Sequence, residues 1–156
     1  MKKYTITSEH NFDACHYLEG HKAACKNLHG HCWKVRIEVA ANEVIENGSS
    51  RGMILDFKDL KLQFRRLVDS FDHSTVIEAP VDKVTYTTTN VEIKDNNSDI
   101  ILQVIENRTV LVPFRPTCEN FSKYFYDTLK EMFPEVYAVT VWETEINSCR
   151  YVEDVE

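Results

Sequence analysis

The chain has 156 residues, 43% hydrophobic and 28% charged, with a formal charge of -7; it is long enough for one domain with a real core. The acidic balance disfavours coating a nucleic acid, and no apolar run is long enough to span a membrane. Five cysteines, odd in number and scattered, argue against a disulfide framework and for a reducing compartment, with cytoplasm the default.

The N-terminus has two lysines but no apolar stretch behind them, so no secretory signal is expected. Residues 3–17 alternate as a strand, with Phe12, Ala14 and His16 on one side and Asp13, Cys15 and Tyr17 on the other. A polar loop follows from Leu18 to Leu28, returning into a second strand from His31 to Ala41 that would pair with the first. Around that return lies Cys25-Lys-Asn-Leu-His29-Gly-His31. His29 and His31, two apart, present both imidazoles to one face, and Gly30 between them permits close backbone approach. An antiparallel return of the chain would bring His16, at the end of the first strand, beside the pair and complete three neutral nitrogen ligands, the number a catalytic zinc takes while keeping a position open. Any one of these histidines alone would more simply be a satisfied strand residue.

Asn42 to Gly52 reads as a turn region. Asp56 is placed to cap a helix, with Asp59 in its first turn, and Leu60, Phe64, Leu67, Val68 and Phe71 mark an apolar stripe to about residue 71. Asp72 and His73 sit at its end. Residues 81–112 form an excursion rich in Thr, Val, Ile and Asn, holding one or two extra strands or an irregular path around an Asp95-Asn-Asn-Ser turn. Pro116 and Thr117 open a second helix whose buried face is expected from Phe121, Phe125, Leu129 and Met132. The last clear strand, Tyr137 to Thr144, places Glu143 on one face with Val139 and Val141. Such a glutamate is either a strand end emerging into water or a recognition group. Strand, strand, helix, helix, strand reads as one α+β domain over residues 1–156.

Six pieces in order carry a resemblance: Phe12-Asp-Ala-Cys-His16, Cys25-x-x-x-His29-Gly-His31, Gly52-Met-Ile-Leu-Asp56-Phe, Phe71-Asp72-His73, Pro116-Thr-Cys-Glu119-Asn and Trp142-Glu143-Thr144. Together the chain resembles the 6-pyruvoyl-tetrahydropterin synthase superfamily, and the three-residue gap between Cys25 and His29 is similar to its carboxy-tetrahydropterin branch. The 81–112 excursion departs from the family's compact members. The resemblance implies a tunnelling fold (T-fold): an antiparallel sheet with two helices on one face, joined across subunits into the barrel of a homohexamer. It implies zinc on His16, His29 and His31, Cys25 as base, Asp72 and His73 as a proton relay, and Glu143 anchoring a pterin, with Thr117 and Glu119 as weaker pocket candidates. The implied reaction turns 7,8-dihydroneopterin triphosphate into 6-carboxy-5,6,7,8-tetrahydropterin, acetaldehyde and triphosphate, on the way to queuosine and other deazapurines. A free thiol titrates near 8.5, so Cys25 would need positive charge nearby to serve as base. A 6-pyruvoyl-tetrahydropterin synthase and a non-catalytic zinc-binding protein are the alternatives.

Overall fold

A computed structural model describes residues 2–79, 84–86, 90–94, 100–105 and 108–153. The chain divides into two compact units, one from residues 1–12, 32–70 and 118–156, the other from residues 13–31 and 71–117. Two long strands, β1 (Tyr4–His16) and β2 (His29–Ala41), run through both.

In the first unit the sheet order is β1, β2, β8 (Val136–Trp142) and β9 (Ser148–Val152), with β2 antiparallel to β8 and β8 antiparallel to β9. Burial along β2 alternates: Trp33, Val35, Ile37 and Val39 are fully buried while Lys34, Arg36 and Glu38 are not. A period of two with one dry face calls for helices on that face. Helix α1 (Phe57–Asp69) contributes Leu60, Phe64 and Val68, and α2 (Cys118–Met132) contributes Phe121, Ser122, Phe125, Tyr126 and Leu129. Phe12 stacks on Trp33 with ring centroids 5.8 Å apart and meets Phe121 and Phe125 edge-on. Each such aromatic side chain contributes roughly 1.5–3 kcal/mol by leaving water. Asp56 caps α1 as expected, its carboxylate accepting from the Lys58 N–H at 2.7 Å. The helix stops at Asp69, with Ser70 as C-cap, so Phe71 is buried beyond its end. Met132 is 47% exposed, contrary to its expected place in the core, being the last residue of the helix.

In the second unit, β1 pairs with β3 (Ser74–Glu78) and β3 with β7 (Thr109–Val112). Both pairings are parallel, so the sheet is mixed where a purely antiparallel one was expected. The reason lies in connection length: β2 and α1 intervene between β1 and β3, and the excursion between β3 and β7, each long enough for the crossover that a tight hairpin does not permit. The strand β3, absent from the sequence reading, is only five residues long and holds Val76 and Ile77 fully buried. The excursion contains a three-stranded antiparallel sheet of β4 (Val84–Tyr86), β5 (Asn90–Lys94) and β6 (Ile100–Ile105). Its expected Asp95-Asn-Asn-Ser turn lies outside the described residues.

Candidate metal centre and its surroundings

The ends of two strands and the loop between them build the centre, all within the second unit. His16 closes β1 in the parity of Phe12 and Ala14; His29 and His31 open β2 in the parity of Trp33 and Val35. The three imidazoles therefore continue the inward-facing rows of their strands at a point where those rows turn polar. One nitrogen from each lies within 4.8 Å of the others, and the ring centroids stand 4.5, 5.2 and 5.0 Å apart. His16 is 1% exposed, and the other two are half-buried.

Main-chain carbonyls orient two of the rings. His16 Nδ1 is 2.6 Å from the Pro116 carbonyl oxygen, and His29 Nδ1 is 2.7 Å from that of Asn27. A carbonyl only accepts, so each Nδ1 carries its proton and donates it, leaving Nε2 as the lone-pair nitrogen. The Nε2 atoms of His16 and His31 are buried and accept no hydrogen bond from the described residues. Burial pushes His16 down to about 4 against the opposing Pro116 bond, and the neighbouring His29 and His31 lower it further. It is neutral at physiological pH, the state in which imidazole ligates a metal. These donors fit a zinc ion: three imidazole nitrogens, each supported behind or buried, as zinc ligands usually are.

Gly30 is not forced by crowding. A Cβ there would stand 3.5 Å from the Ala14 carbonyl oxygen, an ordinary contact, so the close approach expected at this glycine is not what selects it.

Cys25 lies in a short 3-10 turn, Ala24–Lys26, half-buried and outside the histidine group. Asp72 and His73 form a fixed pair. Asp72 Oδ2 accepts from His73 Nδ1 at 2.7 Å, Asp72 Oδ1 accepts from the Asp13 N–H at 2.8 Å, and the His73 N–H donates to the Asp13 carbonyl at 2.7 Å. The Asp13 amide, then the His73 imidazole, hold the Asp72 carboxyl below its usual range. His73 has φ 54, a left-handed conformation that histidine adopts more readily than most residues. The pair is thus docked on β1 three residues before His16, and its imidazole is 69% exposed.

The remaining candidates are described with other parts of the chain. Thr117 donates its N–H to the Arg115 carbonyl at 2.7 Å. In the first unit, Glu143 is half-buried just past the end of β8, its N–H donating to Asn147 O at 3.1 Å. Glu119 is exposed in the first turn of α2. Cys118 donates its thiol to the Val141 carbonyl at 2.9 Å, and burial, opposed by a hydrogen bond with the Cys149 backbone and reinforced by the Cys149 thiol, Glu143 and Glu119, pushes that thiol up to about 11. The sequence reading missed the supporting main chain of Pro116, Asn27 and Asp13, since carbonyl and amide groups leave no mark in residue type.

A family model described as 6-pyruvoyl tetrahydropterin synthase matches residues 5–154. The chain is 30% identical over 152 residues to the 6-carboxy-5,6,7,8-tetrahydropterin synthase of Haemophilus influenzae, covering 96% of this chain and 99% of that protein. It is also 30% identical over 138 residues to the protein of that name from Aquifex aeolicus, covering 83% and 76%. Among solved structures, the Plasmodium vivax 6-pyruvoyl tetrahydropterin synthase is similar with a TM-score of 0.76, 18% identity, and coverage of 97% and 98%.

Proposed function

The chain belongs to the 6-pyruvoyl tetrahydropterin synthase family, and from that premise we propose that it is a zinc-dependent lyase converting 7,8-dihydroneopterin triphosphate and one water into 6-carboxy-5,6,7,8-tetrahydropterin, acetaldehyde and triphosphate. The observation that carries this reading is the convergence of His16, His29 and His31 within 4.8 Å on a chain similar over nearly its whole length to carboxy-tetrahydropterin synthases. Those three residues would hold the metal, which when bound supplies Lewis-acid stabilisation of the negative charge that develops on the substrate side chain.

The chain's own groups then divide the proton work. Cys25, outside the ligand set, takes a proton from a side-chain carbon as its thiolate. His73 moves protons on and off the side-chain oxygens; Asp72, bonded to its Nδ1, fixes the tautomer so that Nε2 faces the exchange. Glu143 accepts two N–H bonds from the pyrimidine edge of the pterin, with Thr117 and Glu119 as further pocket groups. Charge-assisted bonds of that kind contribute about 1.5–3 kcal/mol each. By the same reading the enzyme is a cytoplasmic homohexamer serving queuosine and other deazapurines. Among the described residues no helix is long and apolar enough to cross a membrane.

Incubation of the zinc-loaded protein with 7,8-dihydroneopterin triphosphate, followed by mass spectrometry of the products, tests the proposal. Carboxy-tetrahydropterin with acetaldehyde supports it; a pterin that keeps its full side chain after triphosphate loss would reassign the chain to the pyruvoyl reaction, and no turnover would refute the activity.

A further inference from the structure

The loop that carries Cys25 has little apolar substance with which to order itself. No residue of its 3-10 turn is buried, and Gly20 sits at φ 73. Hydrogen bonds hold it instead: the Leu18 N–H donates to the Cys25 carbonyl at 2.8 Å, the His21 N–H to Leu18 O at 3.1 Å, and the Asn27 N–H to Ala24 O at 2.9 Å. These bonds close the loop on itself, yet none of the three fixes it to the rest of the unit.

Arg115 supplies a fixture from elsewhere in the chain. Its Nη2 donates to the carbonyl of Glu19 at 3.1 Å, across 96 positions of sequence. The arginine is half-buried and stands between Pro113 and Pro116, whose rings restrict the backbone on either side. The very next carbonyl, Pro116 O, is the one that takes the His16 Nδ1–H at 2.6 Å. Two successive residues therefore support the two parts of the site that must agree in position: Pro116 a ligand of the cluster, and Arg115 the root of the loop whose Leu18–Cys25 bond lies one residue from Glu19. A guanidinium suits this task because it stays charged and its planar fork makes a charge-assisted bond to a carbonyl.

We infer that Arg115 is a positioning residue that holds the Cys25 loop in register with the histidine cluster. The inference rests on the activity proposed above, since it gives the loop's position a catalytic meaning. Misplacing a reacting group by about 1 Å costs on the order of a hundredfold in rate.

The test uses the zinc-loaded, full-length protein with Arg115→Met and Arg115→Lys. Arg115→Met should lower kcat by about 10- to 100-fold, with KM within about twofold and zinc content unchanged. Its Leu18 to Cys25 amides should lose hydrogen-exchange protection, its Cys25 should alkylate faster with iodoacetamide, and Arg115→Lys should fall between it and wild type. A rise in KM at constant kcat would make Arg115 a substrate cation and overturn the inference; so would loss of zinc, or unchanged kcat. Exchange and alkylation are read without substrate. If the wild-type chain shows no turnover, the proposed activity fails while unchanged exchange and alkylation in Arg115→Met would separately refute the tether. Should Arg115→Met not fold, Arg115→Lys carries the same readouts.

Discussion

The proposed function gives the histidine cluster, the Cys25 thiol and the Glu143 carboxylate three roles that single substitutions can tell apart. His29→Ala leaves two nitrogens, too few to hold the ion well, so zinc content and turnover should fall together. Cys25→Ala removes the proposed base and none of the proposed ligands: zinc should remain stoichiometric while turnover collapses by about 10²-fold or more. Glu143→Gln keeps the shape but turns one acceptor into a donor, weakening kcat/KM by orders of magnitude with metal and melting temperature intact. Metal analysis beside steady-state kinetics on the three variants checks this, and a zinc-free Cys25→Ala would move that residue into the ligand set. The histidine cluster was legible from spacing, because residues two apart on a strand must share a face and the return of the chain brings them beside His16. Their supports were not. A carbonyl exists at every residue, so nothing in the letters for Asn27 or Pro116 singles them out until the chain is folded.

Strands and helices were read where the pattern was long and the boundary chemistry explicit. Helix α1 was found because Asp56 and the Leu60, Phe64, Val68 stripe agree; β3 was missed because five residues directly after a helix and an Asp-His pair give period-two reasoning too little to count. Parallel pairing is likewise invisible locally, since it depends on which strand a crossover reaches. On the outer face of β2 a cross-strand rung makes a pH-dependent contribution. Arg150 donates in a fork to Glu38, Nε to Oε1 at 2.7 Å and Nη2 to Oε2 at 2.9 Å, and chiefly through that bond it depresses the Glu38 carboxyl. A carboxyl depressed on folding stabilises above its unfolded pKa and loses that stabilisation as pH falls through its folded one. Glu38→Gln should therefore cost about 0.5–1.5 kcal/mol at neutral pH and progressively less below the ordinary carboxylate range. Urea unfolding of the two proteins across that range measures it; a gap that persists in acid would show that the carboxylate charge is not its source.

At the scale of the molecule, among the described residues β9 ends the sheet order in the first unit, and in the second β7 ends the larger sheet while β4 and β6 end the smaller one. Open edges invite pairing with another chain, and the proposed barrel closes them among subunits. Sedimentation at micromolar concentration should give a multiple of three protomers, and an active monomer would defeat the shared-barrel picture. The peptide supports of the histidines carry a different consequence, one about inheritance. The acceptors behind His16 and His29 belong to the main chain, so a change of side chain at position 116 or 27 that preserves the backbone path leaves the acceptor where it was. The imidazoles themselves have no such cover. A lineage can rewrite the outer layer of this centre letter by letter and keep its geometry, while the inner layer must be copied faithfully.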